Sequence, residues 1–86
     1  MHARNRAAER YGLYMDNQDI RLLANRLMIG EGVEFERESR HISKAFILVG
    51  DTEIPVVYNR TRGRVITILP PDAKEVIRAR ERENAS

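Results

Sequence analysis

The chain has 86 residues and no cysteine, and fifteen Lys/Arg against thirteen Asp/Glu leave a formal net charge of only +2. That length holds one domain, residues 1–86, with a modest core, and the missing thiols exclude disulfides, thiolate metal sites and a cysteine nucleophile. The apolar runs are too short to span a membrane.

The N-terminus, MHARNRAAER, is too polar for a secretory signal, so the expected setting is the cytoplasm. Thirteen of the fifteen basic residues are arginine, whose planar fork matches phosphate oxygens and stacks on bases. Such a bias fits an anionic partner, and equally a solvated surface. Placement has to decide.

Residues 2–11 read as a short helix supported by Ala3, Ala7 and Ala8. Positions i, i+4 and i+8 line up His2, Arg6 and Arg10, while Ala3, Ala7 and Tyr11 form a neighbouring stripe for the core. Gly12 ends this helix. Asp16 is the expected N-cap of a second helix, with Asp19 completing an approximate capping box. Ile20, Leu23, Ala24, Leu27 and Met28 then keep an amphipathic period until Gly30 and Gly32 stop it.

Strand patterns follow. Over 33–40, Val33 and Phe35 alternate with Glu34, Glu36 and Glu38, which predicts a half-buried strand with its glutamates on one side. Lys44–Val49 is a more apolar strand ending at the Gly50-Asp51 turn. Glu53–Tyr58 and Arg64–Leu69 are rich in Val, Ile, Thr and Tyr and flank the loop Asn59–Gly63, which predicts a hairpin. Pro55 cannot donate to a ladder, so its N side is expected to face solvent or a bulge. Pro70-Pro71 halts the sheet, and Asp72–Glu83 reads as a charged helix anchored by Ala73, Val76 and Ile77. The order predicts an α+β domain: two N-terminal helices packed on a four-stranded antiparallel sheet, with a short C-terminal helix. The helical stripe is expected to cover one face.

No phosphate loop, dinucleotide fingerprint, nucleophile elbow or paired-histidine metal motif is present, so no metal or cofactor is implied. His2 lies one and two turns before Arg6 and Arg10. Imidazole moves protons near neutral pH and guanidinium stabilises charge on phosphorus, the parts of a metal-independent ribonuclease. Thr67, in the apolar VITIL strand, is either a good β-former or a hydroxyl that orients a phosphate oxygen. Tyr58 is either a cross-strand packing partner or a platform for a base. Arg60, Arg62 and Arg64 crowd one turn, where they can grip a nucleic-acid backbone or pair with Glu34, Glu36 and Glu38. Arg37, Arg40 and His41, around the first β-turn, are candidates for the same surface.

HARNRAAERYGL, an amphipathic helix and the closing strand Gly63–Pro70 together resemble small uncharacterised bacterial and phage domains. Those carry a His-x-x-x-Arg-x-x-x-Arg helix and a final Val-Thr-Val-like strand, and are related in fold to the barnase, EndoU, colicin and RelE group of ribonucleases and toxins. The resemblance covers nearly the whole chain in element order, through two short specific stretches. It implies a site containing His2, Arg6 and Thr67, with Arg10 and Tyr58 nearby, RNA as target and an antitoxin or host protein as partner. A second histidine placed as in EndoU is missing. The expected function is an RNA-targeting protein, with endoribonuclease activity as one form. The alternative is a non-enzymatic regulator that binds nucleic acid or an acidic protein through its arginines, and a third reading is an oligomer built on a sheet edge or the terminal helix.

Overall fold

The computed structural model describes the backbone over residues 2–85 and the side chains over 6–83. Helices α1 (His2–Tyr11) and α2 (Asn17–Met28) precede four strands, β1 (Val33–Arg37), β2 (Ile42–Val49), β3 (Thr52–Asn59) and β4 (Arg64–Ile68). Helix α3 (Lys74–Ala85) follows the sheet. The strands pair antiparallel in the order β1-β2-β3-β4, the meander that short loops dictate. The α+β architecture is as the sequence predicts.

Helix α2 begins where its cap chemistry says it should. The Asp16 carboxylate accepts from the Asp19 N–H at 2.8 Å, and Asp19 accepts from the Asp16 N–H at 3.1 Å. Ile20, Leu23, Ala24 and Leu27 are its buried face. Leu23 and Leu27, with Ala7 of α1, close on Ala45, Ile47, Ile54, Val56, Tyr58 and Ile68 of the sheet. Met28, at the end of the predicted period, is largely exposed.

The other face is covered too, beyond what the sequence reading expects. Phe46 and Phe35 stack at 4.4 Å and meet Val76 and Ala79 of α3. The Arg80 guanidinium lies 4.5 Å over the Phe46 ring and reaches Glu53 at 2.9 Å, so a charged helix docks partly through its charges. Beneath α3 sits Lys44, only 8% exposed, with its ammonium 3.0 Å from Glu75 and 3.6 Å from Glu36. Pro70–Ala73 closes as a turn through the Ala73 N–H to Pro70 carbonyl bond, which moves the start of α3 from Asp72 to Lys74.

Strand β1 departs from simple alternation. Glu34 stands opposite Ala45 and Glu36 opposite Lys44, with Phe35 extra between them in a β-bulge. One inserted residue reverses the side of everything after it. Glu34 therefore accepts from the Ser43 hydroxyl on the α1–α2 side, while Glu36 forms an ion pair with Lys44 on the α3 side. The glutamates do not share a face. The strand also stops at Arg37, because the Glu38 and Ser39 N–H groups both turn back to the Ile42 carbonyl.

Pro55 lies in an inner strand, neither at a free edge nor at a bulge. Its carbonyl accepts from the Leu69 N–H at 2.9 Å, just past the end of β4. The return bond, from residue 55 to the Leu69 carbonyl, is the one proline cannot make. The Tyr11 hydroxyl makes it instead, donating to the Leu69 oxygen at 2.7 Å. Burial, the largest influence on this phenol, raises its pKa. Tyr11→Phe is expected to cost about 1 kcal/mol, since the carbonyl is then left without either donor. Urea unfolding followed by circular dichroism measures it, and an unchanged midpoint would mean water replaces the phenol without loss.

Candidate nucleic-acid interface

The antiparallel path brings the β1–β2 and β3–β4 loops to the same end of the sheet. Local chemistry shapes the second loop. The Asn59 side-chain oxygen accepts from the Thr61 and Arg62 N–H groups, both at 2.9 Å, and the Asn59 carbonyl accepts from Gly63. Gly63 takes φ +64°, which closes the turn without a side-chain penalty.

The two loops are then tied together. The Arg60 N–H donates to the His41 carbonyl at 2.7 Å, and its Nη2 reaches the Ser39 carbonyl at 3.1 Å and the Arg40 carbonyl. His41 Nδ1 and Thr61 Oγ1 share a further hydrogen bond of 2.6 Å. Arg60 thus spends its Nη2 on the neighbouring loop rather than on a ligand. Arg40, Arg62 and Arg64 remain exposed around this clamp. Among the described residues, no carboxylate lies within 4.0 Å of their guanidinium groups.

Glutamates of β1 do not cover this surface. β1 and β4 are opposite edges, Glu34 is held by Ser43 at 2.5 Å and lies 3.7 Å from Arg37, and Glu36 serves Lys44. Of the two fates open to Arg60, Arg62 and Arg64, pairing with the acidic row is absent from the described residues.

Among the described residues, the candidate catalytic positions on α1 and β4 lie on different sides of the sheet. The side chain of His2 lies outside the described residues. Arg6 pairs with Glu9 at 3.0 Å. Arg10 donates from Nη1 to the Ile68 carbonyl at 2.5 Å, capping the outer edge of β4. Thr67 stands opposite Val57, which stands opposite Lys44, so its hydroxyl is on the α3 side. Ala7 of α1 packs with Ile68, on the other side. Tyr58 is 8% exposed and belongs to the α1–α2 core, its pKa raised first by burial and then by Glu34, against Arg60 and Arg37. Its ring is spent on packing, not free to stack on a base.

A feature that hydrophobic periodicity passes over lies beside the arginine end. Asn17, Arg21 and Asn25 recur at i, i+4 and i+8 along the exposed flank of α2. They face Gly63, Arg64 and Val65 across a groove of about 470 Å³ whose floor includes Ile20 and Ala24. Among the described residues, no acidic side chain lines it.

Among the described residues, no helix is long and apolar enough to cross a membrane, and no cluster of three or more His, Cys, Asp or Glu could hold a metal ion. Comparison with protein-family models, with curated proteins and with solved structures finds no match to this chain.

Proposed function

We propose that the protein binds the phosphate backbone of nucleic acid, RNA foremost, through the arginine-bearing end of its sheet. One arrangement carries this reading: Arg40 and Arg62 project from two loops bonded to each other and Arg64 from the first position of β4 beside them, with no carboxylate in ion-pair range among the described residues. Loops already held in place lose little further freedom on binding, so more of the contact energy survives as affinity. Arginine suits the task because its fork meets two phosphate oxygens at once. RNA is named ahead of DNA on the resemblance to ribonuclease-toxin domains. Binding is named ahead of cleavage because Thr67 and α1 lie on different sides of the sheet.

Fluorescence anisotropy with a labelled single-stranded RNA tests it across a salt series. The logarithm of affinity is expected to fall linearly with the logarithm of salt, by about 0.7 per neutralised phosphate. Arg62→Gln with Arg64→Gln should weaken binding about tenfold and flatten the slope by about 1.4, two contacts at that figure. Equal affinity of the two proteins, or binding indifferent to salt, would overturn the proposal. RNA cut by the wild type in EDTA, but not by His2→Ala, would instead make the protein a nuclease.

A further inference from the structure

We infer that the groove between α2 and β4 seats one unpaired nucleotide of a bound RNA strand, an inference that rests on the backbone-binding reading above. Arg64 belongs both to the arginine end and to the groove wall, so a strand held at Arg62 and Arg64 runs directly into it. At about 470 Å³ the groove falls within the ~300–1,000 Å³ range of small-molecule sites. Its lining divides by chemistry. Arg21 on α2 and Arg64 on β4 supply two guanidinium groups from facing walls, and neither is within ion-pair range of a carboxylate among the described residues. Ile20 and Ala24, each about 95% buried, and Val65 beside them form an apolar floor on which a base face can lie.

Asn17 and Asn25 sit one turn either side of Arg21. Each amide offers a donor pair and an acceptor, the complement of a base edge. Phosphate on the arginines, base on the apolar floor and edge against the amides account for every side of the groove. The occupant must be unpaired, because a base inside a duplex has its faces stacked and its pairing edge taken. With no aromatic ring among the described lining residues, stacking is weak here, so the amides carry more of the recognition than in an aromatic single-strand platform.

Anisotropy of one labelled RNA 12-mer, alone and annealed to its complement, compares wild type with Arg21→Gln/Asn25→Ser. Both positions are exposed on α2, and thermal melting checks that the variant is folded. Wild type is expected to bind the single strand about tenfold more tightly than the duplex, and the variant should lose that preference by weakening on the single strand. Equal affinity for both forms, or a folded variant indistinguishable from wild type on the single strand, would overturn the groove assignment while leaving the arginine-end reading intact. Failure of wild type to bind either RNA would overturn both. Arg21→Lys, which keeps charge but not the fork, should restore only part of the single-strand affinity to the Arg21→Gln/Asn25→Ser protein when it replaces Arg21→Gln.

Discussion

Replacing Ile68 by alanine is expected to lower the stability of the fold by about 2–5 kcal/mol, the cost of removing a buried aliphatic side chain. A chain of this length has on the order of 4–13 kcal/mol in total, at about 0.05–0.15 kcal/mol per residue, so the variant should be partly unfolded on mild heating. The position is chosen for what it joins. Ile68 is 0% exposed and packs with Ala7, Leu23 and Leu27 from both N-terminal helices. Its carbonyl accepts from Arg10, and the next carbonyl accepts from Tyr11. Among the described residues, helix α1 contributes a single fully buried alanine to the core, and the contacts it makes there pass through this one strand end. Ile66→Ala is the matched control, because Ile66 sits at the β3–β4 irregularity and is 44% exposed. It should cost under about 1 kcal/mol. Urea unfolding of both variants decides. A loss below 1 kcal/mol for Ile68→Ala would mean that α1 is not seated on β4.

Much of this fold was legible in the sequence because its signals are local. The Asp16 and Asp19 pair bond each other three residues apart, and Ile20, Leu23, Ala24 and Leu27 then bury the face their spacing defines. The Asn59–Gly63 turn is likewise written in adjacent residues. What escaped is long-range. A bulge adds one residue without changing composition, so nothing in VEFER announces that Glu34 and Glu36 part company. Pro55 looks wrong for an inner strand until Tyr11 is found on the carbonyl it cannot serve.

The same distinction governs the candidate site. The cluster of Arg60, Arg62 and Arg64 was visible as three charges in five residues, but not the division of labour within it. Only the meander brings Ser39, Arg40 and His41 beside Arg60, turning one arginine inward as a clamp while its neighbours stay exposed. His2, Arg6 and Arg10 align on one helix stripe, yet Arg10 is taken by a strand edge that the stripe cannot reveal. The signal at Asn17, Arg21 and Asn25 was present as a polar period beside the apolar one. It gains meaning when Arg64 stands across from it.

Removing the two carboxylates in ion-pair range of Lys44, as E36Q with E75Q, is expected to cost about 3 kcal/mol, the lower end of the range for an ammonium left unpaired in a protein interior. The lower end applies because Glu36 and Glu75 are 42% and 30% exposed and partly screened, whereas the lysine side chain is only 10% exposed. Adding K44M to that pair should recover most of the loss, since the stem already packs beneath α3 and no charge then needs a partner. The titration has a definite sign. Burial is the largest influence on Lys44 and would lower its pKa, but the Glu75 hydrogen bond and the charges of Glu36, Glu75 and Glu38 outweigh it and leave it raised above 10.5. Glu75 is lowered below 4.5, first by its own backbone N–H and then by the Lys44 hydrogen bond. A lowered carboxylate stabilises above its ordinary pKa and loses that contribution as pH falls through the folded value. A raised ammonium stabilises below its ordinary pKa and loses it as pH rises through the folded value. The cluster therefore holds α3 to the sheet between about pH 5 and 10, weakening on the acid side below pH 4.5. Unfolding free energies of wild type, E36Q/E75Q and the K44M triple variant, measured at pH 7 and pH 3.5, separate the contributions. The triple variant should narrow the gap between the two pH values, and a wild-type gap retained in full would assign the acid sensitivity to other carboxylates.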